Sequence, residues 1–181
     1  MDVTQSLIQS KGYNAISFND IAEQVGIKKP SIVHHYSSKA ALGEAVVQRY
    51  RKYYSSALAV YLDDKSRSLK EAFDFYCAPY LELGESNEKI CLCGALAGEF
   101  LALPESMQRE VQDFFESHMQ WLEQILVAGI ESGDFQFDAK PRFMAELILN
   151  ALQGASIIQR SAGDAAYMQK TIDLLKRQVF K

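Results

Sequence analysis

The sequence predicts an all-α fold of about nine helices, and three observations carry that expectation. Apolar residues recur three and four positions apart along most of the 181 residues, the spacing of one helix face. No segment keeps the strict alternation of a half-buried strand. Only four prolines and ten glycines interrupt the chain, and no internal repeat or low-complexity stretch is present. A composition of 48% hydrophobic and 23% charged residues is ordinary for a globular protein. At this length most apolar surface can be buried without disulfides or metals.

Residues 3–11 form the first expected helix, with Leu7 and Ile8 turned inward and Gly12 ending it. Ser17 or Asn19 can cap a short second helix at 20–25 by accepting an orphan N–H. Its apolar positions are Phe18, Ile21, Ala22 and Val25. Gly26 permits a sharp turn, Ile27 reads as an apolar plug, and a third short helix spans 30–36. Pro30 suits its first turn, where a missing N–H is not needed. A longer fourth helix, 39–62, turns Leu42, Ala45, Val46, Arg49 or Tyr50, Tyr53, Leu58 and Tyr61 inward. Residues 63–68 are a polar break. The fifth helix, 69–83, carries Phe73, Tyr76, Cys77 and Tyr80, and Pro79 is expected to kink or divide it. A sixth covers 90–103, and Pro104 stops it or opens the next. The seventh, 105–130, has the clearest stripe: Met107, Val111, Phe114, Phe115, His118, Leu122, Ile125, Leu126 and Ile130. The eighth, 142–160, is apolar on more than one face, as a helix shared with a second subunit would be. The ninth, 165–179, shows Tyr167, Met168, Ile172, Leu175 and Val179.

The charge is divided unevenly. The first 52 residues hold seven Lys/Arg and four Asp/Glu, a net +3, while the remainder holds twelve and nineteen, a net −7. A basic head on an acidic body suggests that the head meets a polyanion. Other classes fall away. No run of eighteen apolar residues exists, so no membrane span is expected. The first residues lack the basic and apolar regions of a signal peptide. Cys77, Cys91 and Cys93 are too few, and odd in number, for a disulfide framework. A reducing, cytoplasmic setting is therefore expected. No Gly-rich phosphate loop, Glu-x-x-His pair or Ser/His/Asp set appears, so no enzyme activity, catalytic residue, metal or cofactor is assigned.

Two short helices joined by a glycine turn on a basic surface describe a helix-turn-helix. Ala22 is small where the two helices must meet, and Asp20 at a helix start suits the macrodipole. The second helix of such a pair presents its N-terminal part to the DNA major groove. Here that part is Lys28, Lys29, Pro30 and Ser31, with Val33 and His34 on the same outward side and Ile32 and Tyr36 able to turn inward. Lys28, Lys29 and Lys39 can meet phosphates, and Ser17, Ser31, Ser37 and Ser38 offer hydroxyl donors. His34 and His35 are helix neighbours about 100° apart, so they do not chelate one ion. A groove-facing or phosphate-facing pair is expected instead.

The stretch GYNAISFNDIAEQVGIKKPSIVHHYSSKAALGEAV closely resembles the DNA-binding head of the TetR family of transcriptional regulators. The family's features fall on Gly12, Tyr13, Ser17, Asp20, Ile21, Ala22, Val25, Gly26, Ile27, His35, Tyr36, Ser38, Lys39 and Leu42. The resemblance implies a homodimeric repressor or activator whose C-terminal body binds an inducer, and a repressor is expected. Two departures stand out. Family members usually carry about ten more residues, often basic, before the first helix, and loss of such an arm would weaken phosphate binding. Val33 lies where many members have an aromatic residue.

CLCGALAGEF, residues 91–100, resembles a branch of the same family with a Cys-x-Cys-Gly segment in the sixth helix. Cys91 and Cys93 are two apart and face nearly opposite ways on a helix. Two readings stay open. One of them is a sensor thiol for a thiol-reactive inducer, its pKa lowered by Lys89 and the helix N-terminus, or both are small buried fillers. A small-molecule pocket is the other sensor option. Phe73, Tyr76, Cys77, Tyr80, Phe100, His118, Met119 and Trp121 supply aromatic walls with a few polar ends, or else plain core. An uncharged or weakly polar inducer is expected.

The eighth and ninth helices, about 142–160 and 165–179, hold more apolar surface than one body can cover. Members of the family pair through these helices as a four-helix bundle, which places a homodimer contact there. Gln153 and Gly154 would allow close crossing. The two recognition helices would then reach successive major grooves, roughly 34–36 Å apart, on a palindromic operator in double-stranded DNA. Residues 1–45 are read as the DNA-binding domain and 46–181 as the ligand-binding and dimerisation domain, with the fourth helix shared. The alternative is a helical small-molecule-binding module without specific DNA binding.

Overall fold

The computed structural model describes residues 1–64 and 66–181. Among the described residues the chain forms nine α-helices: α1 (Asp2–Lys11), α2 (Phe18–Val25), α3 (Lys29–His35), α4 (Lys39–Asp63), α5 (Leu69–Gly84), α6 (Leu92–Ala97), α7 (Glu105–Ser132), α8 (Pro141–Ala162) and α9 (Tyr167–Val179). A 3-10 turn, Phe100–Ala102, lies between α6 and α7. The expected polar break at 63–68 includes residue 65, which lies outside the described residues. No helix among the described residues is long and apolar enough to cross a membrane. Packing divides the chain into two units, 1–53 with 91–114 and 54–90 with 115–181, so α4 and α7 supply residues to both.

In the first unit, α1, α2 and α3 bury Leu7, Ile8, Ile21, Ala22 and Ile32. Ser17 starts α2 with a capping box: its hydroxyl accepts from the Asn19 and Asp20 amides, and the Asp20 carboxylate accepts from the Ser17 N–H. Gly26 ends α2 at φ 77°, a left-handed conformation that favours glycine. Three apolar positions differ from expectation: Tyr53 on α4, read as inward, is 68% exposed, and the other two flank the turn between α2 and α3. Val25 is 46% exposed and Ile27 44%, because helices of eight and seven residues bury one narrow face only, and Ile21, Ala22 and Ile32 fill it.

The sixth helix is also shorter than its apolar pattern. It runs for six residues instead of covering 90–103, and the chain then tightens into i→i+3 bonds from Glu99 N–H to Leu96 and from Ala102 N–H to Glu99. Gly98, a poor helix former, stands at the exit. Pro104 opens the seventh helix, its carbonyl accepting from the Gln108 N–H at 3.0 Å.

In the second unit, Phe73, Tyr76, Leu122, Ile125, Ile148, Leu152, Met168 and Ile172 form the core. α5 starts on a Ser68–Glu71 capping box and keeps Pro79 inside a single undivided helix. Of the α7 stripe, Phe115 is half-buried and Ile130 is 41% exposed, while the other seven positions are buried. Ile130 lies in the last turn of α7, near the glycine that ends it. α8 buries Met144, Ile148, Leu149 and Leu152 on one face and leaves Phe143, Leu147, Ile157 and Ile158 exposed on another. Gln159 fastens α8 to the elements around it. Its amide donates to the Gly84 carbonyl at 2.7 Å and to Asn87 Oδ1 at 3.1 Å, and its oxygen accepts from the Met168 N–H at 2.8 Å. The C-terminus is clasped as well, with Phe180 stacked on Phe135 at 5.3 Å and an isolated antiparallel bridge between them.

Candidate functional site

The helix pair α2–α3 is built so that one side packs and the other is left open. Ile21, Ala22 and Ile32 are buried, at 4%, 6% and 6% exposure. The Ile27 N–H returns to the Ala22 carbonyl at 3.0 Å, which ties the turn to α2. Lys28 stands before α3 with an extended backbone, and Pro30 occupies its first turn. The side chains of Lys28, Lys29, Pro30, Ser31, Val33, His34 and His35 are all exposed, and Tyr36 is half-buried. Two cations, a hydroxyl, two apolar groups and two imidazoles are thus left open on one short helix and its cap. The His34 and His35 rings sit edge to face with centroids 5.4 Å apart. Among the described residues no group of three His, Cys, Asp or Glu is placed to hold a metal ion.

Two expected phosphate donors are engaged inside the fold. The Ser17 hydroxyl donates to Asp20 Oδ2 at 2.6 Å while capping α2. Its hydrogen is therefore taken. Hydrogen bonds from the Ser17 hydroxyl and N–H hold the Asp20 carboxyl below its ordinary range. The Lys39 ammonium donates to the Tyr13 carbonyl at 3.0 Å and the Ile16 carbonyl at 2.9 Å, and lies over the Tyr13 ring at 4.3 Å. It spends at least two of its three donors on the turn between α1 and α2. Ser38 is an N-terminal cap too, its hydroxyl accepting from the Ala41 N–H at 3.0 Å.

Sequence reasoning missed one residue at this site. Glu99 accepts from the Tyr13 N–H through Oε1 and from the Asn14 N–H through Oε2, both at 2.8 Å. Its sequence signal is the single acidic residue of CLCGALAGE, at the exit of an apolar helix.

In the second unit four of the expected pocket residues, Tyr76, Tyr80, His118 and Trp121, form a buried aromatic cluster centred on Tyr76. Its ring stacks on Trp121 with centroids 5.4 Å apart and an interplanar angle of 13°. Its hydroxyl lies 3.1 Å from His118 Nδ1. Tyr80 lies beside it, with its hydroxyl accepting from Gln153 Nε2 at 3.0 Å. Burial drives the His118 imidazole down to about 3, so it is neutral. Trp121 Nε1–H reaches the Leu58 carbonyl at 2.8 Å. Phe73 is fully buried and meets Phe180 edge to face. Met119 is half-buried against Arg142, 3.8 Å from its guanidinium. A cavity of about 10 Å³ lies between Tyr80, Gly84, Ser156, Gln159 and Met168, room for about one water.

Phe100 belongs to the first unit, half-buried in the 3-10 turn. Cys91 and Cys93 belong to it as well. All three cysteines are free and buried. The Tyr50 hydroxyl points to the Cys91 sulfur at 3.7 Å. Burial first, with Cys91 and Glu110 nearby, pushes the Cys93 thiol well above its ordinary range. That direction is opposite to the lowering expected from Lys89 and the helix start. Burial also pushes Cys77 up to about 12.

Residues 1–46 match the family model described as bacterial regulatory proteins, tetR family. Residues 68–175 match the model described as tetracyclin repressor-like, C-terminal domain. The HTH-type transcriptional repressor DhaR of Mycobacterium sp. (strain GP1) is 25% identical over 145 residues, 80% of this chain and 72% of that protein. A TetR transcriptional regulator from Legionella pneumophila is 31% identical, with a TM-score of 0.87 over 99% of this chain and 94% of that one. A TetR-family regulator from Agrobacterium tumefaciens is 32% identical, with a TM-score of 0.89 over 98% and 94%.

Proposed function

Because this chain belongs to the TetR family of bacterial regulatory proteins, and is a helix-turn-helix transcriptional regulator, we propose that it is a homodimeric repressor read onto a palindromic operator by α3. The observation that carries this reading is the open face of α3 over a buried Ile21–Ala22–Ile32 contact. Lys28 and Lys29 meet phosphates, fixing register without reading sequence. Ser31, Val33 and His34 face base edges, with His35 and Tyr36 at the groove margin. Lys39 and Ser17 act chiefly from within, by shaping the turn and the helix start that aim α3.

The second subunit docks on α8 and α9, where Phe143, Leu147, Ile157, Ile158 and Leu174 leave 45–59% of their surfaces exposed. The repressor sign follows the relative named as one. Those relatives are named as transcriptional regulators, which supports a non-enzymatic role. Residues 1–45 carry DNA binding and 46–181 carry ligand binding and dimerisation. A cytoplasmic site of action goes with contact to the chromosome. The inducer is a small, weakly polar molecule received at the Tyr76–His118–Trp121 cluster, where the Tyr76–His118 polar contact sits among aromatic rings.

Alanine substitution on α3 tests the reading. Lys28→Ala and Lys29→Ala should each weaken binding to every duplex, lowering the slope of log K against log salt by about one. His34→Ala should instead relax discrimination at one base position by about 1–3 kcal/mol. Unchanged DNA binding in all three variants would reject α3 as the reading helix.

A further inference from the structure

We propose that Glu99, far along the chain from the helix-turn-helix segment, is a positioning residue of the DNA-reading surface. The inference rests on the reading that α3 binds DNA, and extends the working head beyond residues 1–46. One carboxylate of the α6 exit accepts from two successive amides, Tyr13 and Asn14, each at 2.8 Å. Hydrogen bonds to an ionised acceptor are roughly twice as strong as neutral ones. The same turn is held from its carbonyl side by Lys39, through Tyr13 and Ile16. An anion on the N–H side and a cation on the C=O side therefore pin residues 13–16 between them.

Gly12 records the same fit. A Cβ there would run into the Glu99 carboxylate, and its φ of 90° already favours glycine. The turn ends directly at Ser17, whose cap begins α2. α3 follows α2 through a turn fastened by Gly26 and by the Ile27–Ala22 bond. The pair α2–α3 is thus suspended from the turn that Glu99 grips. A carboxylate gains nothing from phosphate, so its contribution to DNA binding comes through orientation. Orientation matters for a sequence that must be read in register, and hardly for sequence-blind attraction.

The test uses the full chain and two duplexes, one selected from a random pool and one of scrambled sequence. Glu99→Ala should bind the selected duplex about tenfold more weakly, at the low end of coupling between sites. Binding to the scrambled duplex should stay within about twofold, since no phosphate contact is lost. Glu99→Gln, which keeps one acceptor oxygen, should fall between wild type and Glu99→Ala. Glu105→Gln, the same charge change at an exposed side chain, should match wild type. Hydrogen exchange at the Tyr13 and Asn14 amides should quicken in Glu99→Ala. If Glu99→Ala shows no cooperative thermal transition, Glu99→Gln decides the comparison. Faster exchange with unchanged affinity for the selected duplex would overturn the proposal, and so would equal losses on both duplexes. A wild-type protein that does not distinguish the duplexes would instead overturn the DNA-binding reading, and this inference with it.

Discussion

Replacing Ser17 by alanine removes the acceptor that caps α2, at a cost of about 1 kcal/mol of stability. A denaturant titration reads it as a lower midpoint at unchanged m-value. The effect has a pH signature. Asp20, the other half of the cap, is held below the ordinary carboxylate range, so its contribution is present above the unfolded carboxylate pKa. It is lost as pH falls through the folded value, and the difference between wild type and Ser17→Ala should shrink below about pH 4. His118 acts over a different window. Its folded pKa of about 3 lies below the unfolded value, so the unfolded chain takes the proton more readily. Stability is full above about pH 6.5 and falls below it by up to about 1.4 kcal/mol per pH unit. His118→Phe should flatten that slope between about pH 6.5 and 5, measured by denaturant midpoints. An unchanged slope would place the titration elsewhere.

Among the elements, α8 and α9 offer the sharpest prediction. Leu147 is 51% exposed, so Leu147→Asp leaves the fold of the subunit intact and strands a charge in the proposed contact. Sedimentation should show a folded monomer, and operator affinity should fall by at least about tenfold as the second half-site is lost. Helices with long, regular stripes were legible in the sequence: α7 announced itself through Met107 to Leu126, and α8 through its two apolar faces. The capped start of α2 and the Gly26 turn were equally plain, because their chemistry is local. α6 was not. Its apolar residues continue past Ala97, but the chain leaves α geometry at Gly98 and Glu99 grips amides 85 and 86 positions away. A periodic pattern does not register such a long-range bond. For the same reason the pattern does not show that the carbonyls of residues 13 and 16 hold the Lys39 ammonium. It also left the cysteines open, since exposure decides thiol chemistry and sequence does not encode exposure directly.

At the scale of the molecule, the all-α plan of about nine helices followed from helical periodicity, the lack of strand alternation and the few Pro and Gly breaks, and the described residues have it. The packing units follow a different logic from the linear chain. Residues 91–114 pack with residues 1–53, so the unit that contains the helix-turn-helix also contains α6 and the start of α7. A sequence read from left to right divides at a boundary in α4. Packing gathers segments from both sides of it. For the basic head on an acidic body, the consequence is that the turn ahead of the helix-turn-helix pair, whose outer face is proposed to meet DNA, is held by a residue far along the chain, Glu99.

The most direct measurement is selection of bound duplexes from a random pool at near-physiological salt. The account predicts recovery of a palindrome whose half-site centres lie roughly 34–36 Å apart or somewhat more, the distance between successive major grooves. Binding that is weak, indifferent to sequence and abolished by modest salt would contradict it, because phosphate attraction alone gives that result.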